Sequence, residues 1–123
     1  MANEKTLLDA IAKIEGDVAG VIAAAVVDLE SGMTLAAKTN RGDFDLTVAS
    51  AYNSELVKQK MKIMRALGLK SSLEDMLLTL SDQIHLIKLL SGGTSFLYLA
   101  AERSGTNLAI LRSAVNRHMS GLE

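Results

Sequence analysis

The sequence contains no cysteine, proline or tryptophan, and its aromatic rings are limited to two tyrosines and two phenylalanines. The lack of cysteine excludes disulfides, thiolate metal sites and a cysteine nucleophile. The scarcity of rings leaves few side chains that could stack on bases, haem or sugars. Because 49% of the 123 residues are nonetheless hydrophobic, the chain can bury an aliphatic core, and we predict one domain over residues 1–123.

A charge excess of one sign and long apolar runs are also missing. The formal net charge is −1, without the basic excess expected of a nucleic-acid-binding protein. Glu4 and Asp9 lie where a secretory signal needs a basic start and an apolar run. The longest nonpolar run, Val18 to Val27, has ten residues, whereas a membrane-spanning helix needs about 20. We therefore expect a cytoplasmic protein that neither binds nucleic acid nor inserts into a membrane.

The first third of the chain predicts a helix followed by a β-hairpin. Asn3 is a good helix cap, and apolar residues then recur at helical spacing until Gly16. Two runs rich in Val, Ala and Leu flank the Gly-containing segment 28–32, as in a hairpin. The first run, Val21 to Val27, does not alternate with polar residues, so we expect both faces of this strand to be covered.

A long helix is predicted between Asp43, which can cap its start, and Gly68, which can end it. At 100° per residue its apolar side chains form two stripes. The first stripe comprises Val48, Tyr52, Leu56, Ile63 and Leu67, and the second comprises Leu46, Val57, Met61 and Met64. A helix that lies on a sheet needs one such stripe, so we expect the second to need another cover.

Three strands and a final helix complete the predicted order α-β-β-α-β-β-β-α. The apolar runs 73–80, 83–90 and 96–101 are separated by turn sequences at 81–82 and 91–94. The last helix begins near Thr106 or Asn107, with Leu108, Leu111 and Val115 on one face. The pattern therefore predicts an α+β fold with a three-strand meander in its second half.

Asp82 and His85 are the candidates for acid/base chemistry. The alternative is a turn aspartate and a strand histidine with a local partner, and no serine or second acid is placed to complete a triad. Two histidines in the whole chain are too few for a convincing metal site. We predict no catalytic residue, no cofactor and no metal ligand.

Two further motifs also favour structural roles. The segment Gly92 to Ser95 resembles a phosphate loop but lacks its lysine, and a strand rather than a helix is predicted after it. Glu74 and Asp75 could form a carboxylate dyad, but a charged pair at the start of a strand is more typical of a solvated sheet edge.

The long helix supplies the candidates for interaction. Met61 and Met64 suit an adaptable contact surface better than a core. Lys58, Lys62 and Arg65 share the polar arc, where solvated surface is one interpretation and attraction of an acidic partner is the other. The predicted interface residues are Leu46, Val57, Lys58, Met61, Lys62, Met64 and Arg65.

With these elements in place, the sequence resembles the roadblock/dynein light chain family, in particular its small MglB-type prokaryotic domains. The resemblance covers essentially the whole chain. It rests on GVIAAAVVDLESG at 20–32, LEDMLLTLSDQIHLIKLL at 73–90 and FLYLAAERSGTNLAILRSAV at 96–115. None of these stretches is a catalytic signature.

The resemblance implies a profilin-like or longin-like domain with a five-stranded antiparallel sheet between helices. It also implies a homodimer or pseudo-dimer in which the long middle helices pack together and the third strands extend the sheet across the two-fold axis. In many relatives such a dimer is a platform for a Ras-like small GTPase, so we expect a non-catalytic regulator or scaffold. The alternative is a small-molecule sensor of similar fold, which would need a pocket with convergent polar groups.

Overall fold

A computed structural model describes residues 3–122. Within them, three helices pack against a five-stranded sheet in the predicted order, which confirms the predicted α+β fold. The elements are α1 (Glu4–Asp17), β1 (Val21–Asp28), β2 (Thr34–Thr39), α2 (Leu46–Ala66), β3 (Asp75–Thr79), β4 (Gln83–Leu89), β5 (Ser95–Glu102) and α3 (Leu108–Met119). No helix in this part of the chain combines the length and apolar character that a membrane crossing requires.

The strands lie in the order β2-β1-β5-β4-β3, and every neighbouring pair is antiparallel. The helices α1 and α3 cover one face of the sheet, and of the helices in residues 3–122 only α2 lies on the other. The central strand β1 is therefore buried on both faces, as its unbroken apolar run predicts. Its alanine side chains alternate between the two faces of the sheet: Ala24 packs on the side of α1, and Ala23 and Ala25 pack on the side of α2.

Each helix begins at a polar side chain that caps its first turn. Asn3 and Asn107 cap α1 and α3, as the sequence predicts. The prediction that Asp43 caps α2 is wrong, because Asp45 Oδ1 accepts the backbone N–H of the first turn at 3.1 Å. Asp43 instead forms an ion pair with Arg41 at 3.0 Å. The helix therefore starts two residues later than its sequence signal suggests.

The rotation of α2 about its axis also differs from the prediction. Its buried residues are Leu46, Ser50, Ser54 and Val57, so the second stripe lies on the sheet and the first stripe faces outward. Ser54 falls in the polar arc of the sequence pattern, yet it is buried with its hydroxyl hydrogen-bonded. Because Ser50 and Ser54 are small, α2 can approach the sheet closely. Both hydroxyls form hydrogen bonds, so neither is left buried and unpaired.

Three polar side chains, four residues apart, attach α2 to the hairpin between β1 and β2. The bonds join Thr34 Oγ1 to Ser50 Oγ at 3.2 Å, Ser54 Oγ to the Leu29 carbonyl at 2.6 Å and Lys58 Nζ to the Glu30 carbonyl at 2.7 Å. The positive φ of +74 at Gly32 favours glycine in this hairpin turn, which lies against α2. The helix is thus held along its length as well as by its apolar face.

Candidate functional site

The outward face of α2 is the most unusual surface of the molecule. We call Val48, Tyr52, Leu56, Ile63 and Leu67 the outer stripe. Their exposed fractions run from 37% at Leu56 to 75% at Tyr52. Several large apolar side chains on one exposed helix face are typical of an interaction surface. The sequence pattern shows this row but places it against the sheet, so its role as surface was missed.

The edge strand β3 carries accessible apolar side chains of its own. Helix α2 lies over β1 and β2, at the other end of the sheet. On the α2 side of β3, Met76 and Leu78 remain partly accessible, and Leu80 follows in the same alternation and is exposed. We call the outer stripe together with these three residues the α2/β3 surface.

The backbone of β3 offers hydrogen-bonding groups next to that surface. Bonds between Leu80 N and Gln83 O, and between Leu89 N and Glu74 O, show which residues of the strand face β4. By alternation, the N–H and C=O groups of Asp75, Leu77 and Thr79 point away from the sheet. An edge of this kind can pair with another strand.

The structure does not bring the seven predicted interface residues together on one face. Leu46 and Val57 belong to the core under α2, where both side chains are buried. Lys58 is bonded to the hairpin. The remaining four, Met61, Lys62, Met64 and Arg65, lie in the C-terminal half of the helix, where Met61 packs partly on the core and Lys62 is exposed.

A cleft of about 560 Å³ opens between this half of α2, the segment after it and the turn between β4 and β5. Met61, Met64 and Arg65 line its helix side. A small-molecule site would be expected to converge buried polar groups on its ligand. The buried polar side chains of residues 3–122 are Ser50, Ser54 and Ser95, and none of them lines the cleft.

His85 lies in a small polar cluster under the start of α2. Its Nε2 lies 2.7 Å from Gln83 Oε1, and its Nδ1 lies 3.2 Å from Tyr98 Oη. Because Gln83 Oε1 accepts, Nε2 carries the proton and Nδ1 accepts from the tyrosine hydroxyl. Phe44 packs beside both rings, at centroid distances of 6.3 and 6.4 Å. The hydrogen bonds of His85 thus go to Gln83 and Tyr98 rather than to Asp82.

Burial sets the protonation of this cluster. It lowers the pKa of His85, an effect partly opposed by the Asp82 charge, and it raises the pKa of Tyr98 to about 12. Both groups are therefore neutral near pH 7. A neutral histidine whose two nitrogens are occupied supports the structural interpretation of the 82–85 pair.

The other chemical candidates are also accounted for by ordinary contacts. Asp75 pairs with Arg112 at 3.2 Å, so it does not act with Glu74 as a dyad. The segment 91–94 is a turn that leads into β5, as predicted. Across residues 3–122, no three side chains of the metal-ligating types come together.

Comparison of the sequence with protein-family models gave no match, and comparison with curated protein sequences gave none either. Comparison of the structure did find similar folds. An MglB described with a tetrameric arrangement has a TM-score of 0.83 and 12% identity, covering 99% of this chain and 88% of that one. The gliding protein MglB from Thermus thermophilus has a TM-score of 0.78 and 11% identity, with 97% and 87% covered.

A roadblock/LC7 domain from Streptomyces avermitilis is similar too, with a TM-score of 0.76, 14% identity, and 88% and 87% of the two chains covered. The chain therefore has the roadblock/MglB-type fold that the sequence resemblance implies. At such low identity the likeness is one of fold, and function has to be argued from this chain's own surface.

Proposed function

We propose that this chain is a non-catalytic homodimer that regulates or scaffolds a Ras-like small GTPase. The observation that carries the proposal is the α2/β3 surface, which comprises a row of exposed apolar side chains on α2 and the unpaired edge of β3. The roadblock-type fold supports it, because the family resemblance implies dimers that pair through these same elements. No residue is proposed to be catalytic.

The two halves of the surface suit a two-fold arrangement. If β3 pairs antiparallel with β3 of a second copy about Leu77, Asp75 lies opposite the partner's Thr79. The outward backbone groups of the two strands then satisfy one another. We propose that the outer stripes of the two α2 helices also meet in this dimer, which would remove Tyr52 and Ile63 from water. An apolar interface of this kind is typical of stable homodimers.

The dimer is tested by light scattering at micromolar concentration. Ile63→Glu should give a monomer, because a carboxylate would enter an apolar contact. Ile110→Glu is the matched control, since Ile110 is 51% exposed on α3, on the opposite side of the sheet, against 41% for Ile63. A monomer mass for the unmodified protein, or equal effects of the two variants, would contradict the proposed dimer.

The GTPase component is supported by the family resemblance and by the exposed cations Lys62 and Arg65 at the margin of α2. A regulator must bind one nucleotide state more tightly than the other, since only a difference in affinity can shift the switch equilibrium. The test is titration of the protein against a Ras-like GTPase from the same organism, loaded with GDP or with a GTP analogue. Equal affinities would reduce the proposal to a passive scaffold, and absence of binding to any such GTPase would refute it.

A further inference from the structure

The C-terminal half of α2 and the loop after it carry charge of one sign. Between Leu56 and Leu73 every charged residue is basic, in a chain whose net charge is −1. These residues are Lys58, Lys60, Lys62, Arg65 and Lys70. Lys58 pairs with Glu55 at 3.6 Å, and the other four form no ion pair within residues 3–122. This end of the molecule is therefore a local basic surface.

The basic segment borders a cleft whose lining is part apolar and part polar. Met61, Met64 and Leu73 line the 560 Å³ cleft described above, and Arg65 lies among them. The cations that line it, Arg65 and Lys88, outnumber its single acidic residue, Glu74. Methionine side chains adapt to the shape of an inserted group, and a guanidinium can bind a carboxylate through two parallel hydrogen bonds.

We infer that this cleft binds an acidic linear peptide segment of a partner protein through one apolar anchor side chain. The anchor enters between Met61, Met64 and Leu73. Carboxylates next to the anchor pair with Arg65 and approach the lysines around it. An acidic occupant is favoured by Arg65, Lys88 and the cations of the neighbouring helix, and an apolar anchor residue is favoured by Met61, Met64 and Leu73.

An anionic membrane is the other surface that basic and apolar residues could recognise. Membrane-binding helices project their apolar side chains into the lipid. Here Met61 and Met64 are partly buried and line a concave wall, so the arrangement favours an inserted side chain over a flat lipid surface.

The inference goes beyond the proposed GTPase platform and shares only Arg65 with it. Met61, Met64 and Arg65 lie outside the outer stripe, so the cleft does not require the dimer contact. A peptide assay uses no GTPase, so loss of GTPase binding and loss of peptide binding can be told apart.

The probes are fluorescent twelve-residue synthetic peptides with a central Leu or Phe flanked by glutamates. Control peptides replace the central residue with Ser, or the glutamates with Gln. Fluorescence anisotropy with the full chain should show that both kinds of control bind at least tenfold more weakly. Binding should also weaken as salt rises, since the charged contacts are partly exposed.

Two variants of the protein locate the site. Arg65→Gln and Lys60→Gln each remove one positive charge from the exposed surface of α2, but only Arg65 lines the cleft. Arg65→Gln should weaken peptide binding at least fivefold, and Lys60→Gln less than twofold, while thermal melts confirm that both fold.

Four outcomes would overturn the inference. These are absence of binding to any acidic peptide, equal binding of the Ser-centred controls, equal effects of the two variants, and binding to phosphatidylserine vesicles without binding to peptide.

Discussion

Val57→Ala tests which side of α2 faces the sheet. Val57 is 0% exposed and packs in the cluster with Ile87 and Tyr98. The change removes two buried carbon groups at about 0.8 kcal/mol each, and the remaining cavity adds to the loss. We expect the free energy of unfolding to fall by about 2 kcal/mol, taking the transfer and cavity terms together.

Ile63→Ala is the comparison, because Ile63 lies in the outer stripe. Within one copy of the chain it should cost less than about 1 kcal/mol, since the side chain is already partly in water. In a dimer it should weaken association, so its effect depends on protein concentration. The two variants therefore separate folding of the domain from assembly of two copies.

Urea denaturation at several protein concentrations measures both effects. With a typical slope of 1–3 kcal/mol per molar urea, Val57→Ala should lower the midpoint by roughly 1 M at every concentration. Ile63→Ala should mainly reduce the dependence of the midpoint on concentration. If Val57→Ala were nearly neutral while Ile63→Ala cost about 2 kcal/mol or more in dilute protein, α2 would face the sheet with the stripe that the sequence pattern suggests, and the α2/β3 surface would not exist.

Three further comparisons test single positions. Burial lowers the pKa of His85 below its ordinary 6.5, so the unfolded chain takes up a proton before the folded chain as pH falls from about 6.5, and the free energy of unfolding should decrease. His85→Gln should reduce this decrease in thermal melts between pH 8 and pH 5, and an unchanged pH profile would contradict the assignment of His85 as the titrating group. Gly32→Ala should lower the melting temperature more than Gly68→Ala, since both have positive φ but only Gly32 lies in the turn that is bonded to α2; equal shifts would contradict a role of that turn in holding the helix. Lys58→Glu should lower the melting temperature, whereas Lys62→Glu should leave it unchanged and slow association with an acidic or GTPase partner. Equal melting curves for the two lysine variants would show that the Lys58 hydrogen bond does not stabilise the fold.

Much of the fold could be predicted because its signals are local. The turns at 81–82 and 91–94 lie between apolar runs, and the caps Asn3 and Asn107 directly precede helical patterns. The start of α2 is harder to predict. Asp45 caps the helix, while Asp43, which the sequence signal indicates, forms an ion pair with Arg41.

The rotation of α2 could not be predicted because both stripes are equally suitable for burial. The deciding residues are Ser50 and Ser54, which become favourable in the core through Thr34 and the Leu29 carbonyl. Those partners lie at least sixteen residues away in sequence. The same long-range contacts decide which stripe is left for an interface, so the α2/β3 surface required the folded chain.

The contacts of Ser50, Ser54 and Lys58 with the hairpin have a further consequence for assembly. Sliding α2 by one helical turn, about 5.4 Å, would take all three side chains away from their partners together. The turn between β1 and β2 therefore sets the axial position of Tyr52 and Ile63 relative to the edge strand β3. In a dimer that uses both the outer stripe of α2 and the edge of β3, the offset between the two sheets depends on the turn between β1 and β2. Substitutions in that turn can therefore change how two copies fit together, even when every residue of the dimer interface stays the same.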